Sequence, residues 1–253
     1  MEFKCFGFSD VGRLRSNNED SHLCNSGERL FLVADGMGGQ ASGETASQLA
    51  VHHVEEFVVR SRAQGPQWPK KQRKDLTLEQ HRLLAAITFA NRQILDTAGK
   101  VPEMQGMGTT LVGALLEGDH LAVANVGDSR LYRIRNRQMQ QMTRDHSLVG
   151  ERVRKGEMTR EQAMKDSQKH ILTRALGIYE KVRVDVSLVD LMPKDLLLFC
   201  TDGLYQMLDD GKILSIIESI GDRSLYKIGL SLVLQANLAG GSDNITVVLV
   251  SLE

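Results

Sequence analysis

Cysteine is scarce in this chain, neither sign of charge is in excess, and no long apolar run occurs. The three cysteines, Cys5, Cys24 and Cys200, form none of the close pairs expected of a zinc knuckle or a dithiol redox centre. Their scarcity fits a reducing cytoplasm. A formal net charge of -1 from 31 basic and 32 acidic residues leaves no global positive field to gather nucleic acid. No apolar stretch approaches the roughly 20 residues that span a bilayer, and Met1 to Ser9 lacks the basic start and apolar core of an export signal. The expectation is a cytoplasmic, monomeric protein without a nucleic-acid or membrane partner. With 253 residues, 42% of them hydrophobic, one large domain spanning 1–253 has ample core.

Short runs rich in Val, Leu and Phe recur from end to end: Phe3 to Ser9, Arg29 to Ala34, Thr110 to Leu116, His120 to Val126, Val182 to Val189, Leu196 to Thr201 and Ile245 to Val250. Bounded by Gly or Asp, they predict strands. Apolar residues return at three and four positions in Glu44 to Val59, Leu78 to Ala98, Asp209 to Ile220 and Ser224 to Leu238, which predicts helices. Links as short as Glu117-Gly118-Asp119 allow an antiparallel hairpin but no parallel crossover. The fold class that follows is α+β, with two antiparallel sheets packed together and covered by helices, a four-layer αββα sandwich. Gly65 to Lys74, dense in Lys, Arg, Gln and Pro, reads as a surface loop between two helices. Thr143 to Gly177 carries few strand signals and two short amphipathic pieces, Leu148 to Lys155 and Thr159 to Met164. An excursion of this length predicts a flap beside the functional site.

The chemistry lies in carboxylates at strand ends. Leu32-Val33-Ala34-Asp35-Gly36 and Leu198-Phe199-Cys200-Thr201-Asp202-Gly203 each end an apolar strand in Asp followed by Gly, whose missing Cβ permits a sharp turn and exposes its carbonyl. Further acids flank strands in Gly127-Asp128-Ser129-Arg130 after His120 to Val126, in Gly241-Ser242-Asp243-Asn244 before the last strand, and in Asn18-Glu19-Asp20 after the first strand and a short loop. Any single Asp-Gly can be a plain turn. Gathered carboxylates, however, repel one another and resist desolvation unless something positive sits among them. Hard oxygen donors without nearby His or Cys point to Mg²⁺ or Mn²⁺ rather than zinc.

These motifs and their order resemble the PPM, or PP2C-like, serine/threonine protein phosphatases, especially compact bacterial members. The resemblance runs from Ser9-Asp10-Val11-Gly12, Arg15 and Asn18-Glu19-Asp20-Ser21 through Val33-Ala34-Asp35-Gly36-Met37-Gly38-Gly39 and Gly108-Thr109-Thr110. It continues in Gly127-Asp128-Ser129-Arg130, Asp145-His146-Ser147, Thr173-Arg174-Ala175-Leu176-Gly177, Thr201-Asp202-Gly203-Leu204 and Ser242-Asp243-Asn244-Ile245-Thr246. It implies that Asp35 bridges two cations, with the Gly36 carbonyl on one of them and Asp202 and Asp243 as further ligands of the first. Glu19 would serve the second, directly or through water, while Asp20 would orient water and Arg15 would grip substrate phosphate through its planar fork. Asp128 with Asp202 resembles a weaker third-ion site, where Gln206 replaces an acid found in other members. Met37 stands where several eukaryotic relatives carry a histidine proposed as general acid, and a thioether cannot donate that proton.

The implied reaction is direct hydrolysis of phosphoserine and phosphothreonine on proteins. Two Mn²⁺ or Mg²⁺ ions about 3.5–4 Å apart would activate the attacking water, and no phosphoenzyme would form. Phosphorylated proteins are the implied partners, and a bacterial serine/threonine kinase the implied opponent. Two other functions would leave different marks in the sequence. A non-catalytic phosphoprotein-binding module would be marked by loss of a bridging aspartate, yet Asp35, Asp202 and Asp243 are all present. A two-metal nuclease would need the polyanion track that the net charge does not provide.

Overall fold

The computed structural model describes residues 2–39, 42–66, 68 and 74–253. Its strands are β1 (Phe3–Asp10), β2 (Asp20–Asn25), β3 (Leu30–Met37), β4 (Gly108–Thr109), β5 (Leu111–Glu117), β6 (His120–Val126), β7 (Arg130–Arg135), β8 (Gln138–Gln141), β9 (Asp185–Asp190), β10 (Leu196–Cys200) and β11 (Ile245–Leu252). The helices are α1 (Ser42–Gln64), α2 (Leu78–Lys100), α3 (Leu148–Arg154), α4 (Arg160–Lys165), α5 (Asp202–Tyr205), α6 (Asp210–Ser219) and α7 (Leu225–Leu238).

One sheet has the order β1-β11-β10-β7-β8; the other runs β2-β3-β5-β6-β9, with β4 attached to β3. Every strand pairing among the described residues is antiparallel. Side chains of a strand alternate between its two faces, and here both faces are buried. Along β3, Phe31 and Val33 point into the core between the sheets. Leu30, Leu32 and Ala34 point outward, under the core shared with α1 and α2. In β10, Leu197 and Phe199 face the other sheet, while Leu196, Leu198 and Cys200 face α6 and α7. Three apolar interfaces separate four layers, helix, sheet, sheet, helix, as the sequence predicts.

The hairpin through Glu117-Gly118-Asp119 joins β5 to β6, and Gly118 takes the left-handed φ of 62° that its turn requires. Several boundaries moved. The strand expected to end at Ala34 before an Asp35-Gly36 turn runs on to Met37. The strand expected from Val182 begins at Asp185, where pairing with β6 starts, while Val182 and Val184 still pack against the helix-side core. The first helix extends beyond Val59 to Gln64. Strands β2, β4, β7 and β8 and the short helix α5 were not expected. Most of the Gly65 to Lys74 linker, including its basic run, lies outside the described residues, although Trp68 packs against the core beneath α1 and α2. Segment 143–177 contains α3 and α4 near the expected places. It is pinned at its base by the bridges Ser147 to Leu172 and Thr109 to Leu176, and Asn91 of α2 accepts the Gly177 N–H at 2.8 Å.

Candidate metal and phosphate site

The carboxylates converge where the ends of the two sheets meet. Asp20 opens β2 directly opposite Asp35 on β3. Asp202 follows the end of β10, and Asp243 lies just before β11, the strand paired with β10. Residues separated by up to 223 positions thereby occupy one locus. Gly36 is sealed into it: a Cβ there would lie 2.0 Å from the Gly43 carbonyl oxygen, so a side chain could not be accommodated without shifting α1.

Hydroxyls set the aim of Asp20. Thr201 Oγ1 donates to its Oδ2 at 2.8 Å and Thr246 Oγ1 donates to the same oxygen at 2.7 Å. Its Oδ1 is buried with no protein partner, as is Oδ1 of Asp202, whose Oδ2 accepts from Gln206 Nε2 at 2.6 Å. Two orphaned buried carboxylate oxygens are costly unless a cation completes them. The donor set is oxygen throughout, and it fits hard divalent ions.

Electrostatics supports this fit. Burial, followed by the charges of Asp20, Asp202, Asp128 and Asp243, holds the Asp35 carboxyl well above the usual range. Burial, offset in part by the two threonine hydroxyls, raises Asp20 to about 7. Burial and the Asp243 charge raise Asp202 to about 7. Asp128, raised to about 8 by burial and then by Asp202, is an electrostatic neighbour of the cluster on the turn between β6 and β7. Glu19 is also raised, chiefly by burial, and its Oε1 lies against Gly43 at the start of α1, 2.7 Å from where a Cβ would stand.

Arg15 does reach the cluster. Its Nη2 donates to Asp243 Oδ2 at 2.8 Å while the side chain remains about half exposed. That contact raises its own pKa further. The sequence placed Arg15 against phosphate and did not foresee an aspartate partner. Met37 packs against Gly108.

Several supporting residues escaped the sequence reading. Asn244 Oδ1 accepts the Glu19 N–H, and its Nδ2 donates to the carbonyls of Val11 and Asn17, tying the Arg15 loop to the Asp243 turn. Thr110 Oγ1 accepts the Asp35 N–H at 2.9 Å and meets Ser129 Oγ at 2.7 Å. Buried His146 accepts the Gly127 N–H on Nδ1 at 3.1 Å, which leaves the ring proton on Nε2, facing Asp185 Oδ2 at 3.3 Å. Burial, followed by nearby Arg174, lowers the His146 pKa and keeps that neutral form. Gly127 itself has φ 97°, and a Cβ on it would strike Thr110. Asn244, Thr110, Ser129, His146 and Gly127 each sit in a quoted motif, so the available signal was motif membership without any indication of role, and Asp185 carried no signal at all.

Beside the carboxylates lies a cleft of about 760 Å³ between segment 143–177 and the α5–α6 region, lined by Asp128, Gln206 and Asp209 and by Arg144, Arg154, Arg160 and Lys169. Arg130 forms its floor, paired through Nε and Nη2 with Asp145 and stacked over the Tyr205 ring at 3.5 Å.

The family model described as Protein phosphatase 2C matches residues 13–226. Serine/threonine phosphatase stp of Listeria welshimeri is 40% identical over 247 residues, covering 96% of this chain and 93% of that protein. Protein phosphatase PhpP of Streptococcus pneumoniae is 36% identical over 247 residues, 96% of this chain and 95% of its own length. The crystal structure of the Mycobacterium tuberculosis serine/threonine phosphatase PstP/Ppp superposes with a TM-score of 0.86 at 32% identity, over 99% of each chain. A structure of the PstP catalytic domain in complex with 2 manganese ions matches with a TM-score of 0.83 at 31% identity, over 98% of this chain and 97% of that one.

Proposed function

The chain belongs to the protein phosphatase 2C family of serine/threonine phosphatases, and we infer that its carboxylate cluster holds two divalent cations, Mn²⁺ or Mg²⁺, for hydrolysis of phosphoserine and phosphothreonine on proteins. The observation that carries this reading is the pair of buried, partnerless oxygens within an all-oxygen set, Asp202 Oδ1 placed for an ion and Asp20 Oδ1 for the water beside it. Asp35 and the Gly36 carbonyl, Asp202, Asp243 and Glu19 would hold the ions. Bound there, the ions supply an activated water and neutralise charge on the phosphoryl oxygens.

The protein's own groups do the positioning. Asp20, aimed by Thr201 and Thr246, orients the attacking water through its free oxygen. Arg15 is exposed enough to turn from Asp243 and donate two parallel hydrogen bonds to phosphate. Asp128 and Asp202 offer a weaker third site, with Gln206 donating to Asp202 where an additional acid would otherwise ligate. Segment 143–177 acts as the flap, and the cleft beneath it, lined by both basic and acidic side chains, receives the polypeptide flanking the phosphorylated residue. The biological setting is cytoplasmic, opposite a serine/threonine kinase. Among the described residues no helix is long and apolar enough to cross a membrane.

The test is phosphate release from phosphoserine and phosphothreonine peptides, with and without Mn²⁺ or Mg²⁺, alongside a nucleic-acid substrate. Cation-dependent release from the peptides alone is expected. Release that persists after exhaustive chelation, or cleavage confined to nucleic acid, would overturn the assignment.

A further inference from the structure

The spacing of Cys5 and Cys24 hides a relationship that the fold reveals. Cys5 lies on β1, the outermost strand of its sheet, and Cys24 on β2, the outermost strand of the other. These two edges run against each other, and both thiols pack on the apolar core between the sheets. Gly7, two residues from Cys5 and so on the same face, has no side chain; the His22 ring fills most of that space, and a Cβ there would also sit 3.3 Å from Cys24 Sγ, which places the Cys24 thiol under the face that carries Cys5. Cys5 Sγ in turn touches Ser26 Oγ at 3.4 Å, two residues beyond Cys24. Both cysteines are only partly buried, whereas Cys200 is enclosed.

We propose that Cys5 and Cys24 are a peroxide-responsive thiol pair that closes into a reversible intrachain disulfide, stapling β1 to β2 at the open edge of the sandwich. The roles follow from the surroundings. The neighbouring Cys24 thiol, and then Ser26 Oγ at 3.4 Å, hold the Cys5 thiol below its ordinary range despite burial, while Cys24 is held above it. Cys5 is therefore the attacking thiolate and Cys24 the resolving thiol. The Cys5 thiolate attacks one oxygen of hydrogen peroxide, the O–O bond breaks, and the departing hydroxide takes a proton to become water, leaving a Cys5 sulfenic acid. Cys24 sulfur then attacks the Cys5 sulfur, the S–O bond breaks, and the Cys24 proton leaves with the hydroxyl as a second water. Two thiols are oxidised to one disulfide, and one peroxide is reduced to two waters. The closed loop encloses residues 6–23 and with them Arg15, Glu19 and Asp20. By restricting the unfolded chain, the crosslink makes the oxidised protein harder to unfold.

The experiment treats the reduced full-length protein with a small excess of hydrogen peroxide, blocks remaining thiols by alkylation, and maps peptides without reduction. Wild type is expected to yield a Cys5–Cys24 crosslinked peptide with Cys200 unmodified, a higher thermal midpoint, and full reversal by dithiothreitol. Cys24→Ser should carry Cys5 on to sulfinic acid, because the resolving thiol is gone. Cys5→Ser should leave Cys24 reduced under the same exposure. Sulfinic acid on Cys5 in wild type without the crosslink, a crosslink only between two chains, or both thiols still free would each overturn the proposal. None of these readouts depends on phosphatase activity, so its failure and that of the functional assignment are distinguishable.

Discussion

Asp35 differs from its neighbours in receiving charge from nearly every other acid of the cluster, so its substitution should be felt at each bound ion. Asp35→Asn is expected to reduce phosphopeptide turnover close to background while leaving the fold intact, which circular dichroism and steady-state assays can check together. Full cation-dependent turnover by the verified variant would sink the metal assignment. Thr246 acts one step further out. Its hydroxyl is fully buried and donates to Asp20, and Thr246→Val keeps the shape while removing that donor. A hydrogen bond to a carboxylate contributes about 1.5–3 kcal/mol, so urea unfolding should show a loss of that order. Arg15 is the contrasting case. Its half-exposed pair with Asp243 is solvent-screened and adds little stability. Arg15→Ala should therefore leave the unfolding midpoint nearly unchanged, yet lower kcat/KM roughly tenfold to a hundredfold through loss of a charged phosphate contact. Calorimetric titration should show no weakening of cation binding, since the competing partner of Asp243 has gone. Arg15→Lys should recover only part of the loss, because it lacks the planar fork.

At the level of elements, helices and central strands were legible because burial on one or both faces leaves an apolar period in the sequence. Strand β2 was not, since Asp-Ser-His-Leu-Cys-Asn is an edge strand with little apolar content, made a strand by its register on β3. Strand β7 hides for another reason. Arg130 and Arg135 occupy positions that only their partners Asp145 and Asp195 render acceptable, and those partners are remote in sequence. Asp35 and Asp202 were legible from the Asp-Gly signature and the other aspartates from motif order, whereas the threonine hydroxyls that aim Asp20 become meaningful only once β10 and β11 lie side by side. Segment 143–177 was visible by its length, and its chemistry can be tested there. Arg154 and Lys169 line the cleft from the flap side, remote in sequence from the candidate ligands. Alanine at both should lower kcat/KM for phosphopeptides several-fold more than for p-nitrophenyl phosphate, which has no flanking chain to contact. Equal losses on both substrates would assign the segment to the chemistry instead.

For the whole molecule, the same carboxylates that prepare the site oppose folding when no cation is present. Asp20 and Asp202 rise from the usual 3.8 to about 7, and Asp128 to about 8. Each binds its proton more tightly in the folded chain than in the unfolded one. The folded state therefore holds more protons between about pH 4 and about pH 8, and stability falls with rising pH across that window. His22 and His146, lowered chiefly by burial, act in the opposite sense, but their effect fades above their unfolded value near 6.5. The Cys5 thiol, lowered to about 6, also opposes the decline, from about pH 6 upward, so the net decline should be clearest between about pH 6 and about pH 7, where the carboxylates still hold most of their excess protons. Divalent cations bind the deprotonated carboxylates and only the folded arrangement gathers them, so their binding adds to stability. The rise in thermal midpoint on adding Mn²⁺ should then be larger at about pH 8 than at about pH 5.5, where protons compete for the same oxygens. Asp35→Asn should lose most of that rise while tolerating high pH better than the wild type when chelator is present, because one repelling charge is gone. A cation-induced shift that is equal at the two pH values, or unchanged in Asp35→Asn, would separate metal binding from this cluster.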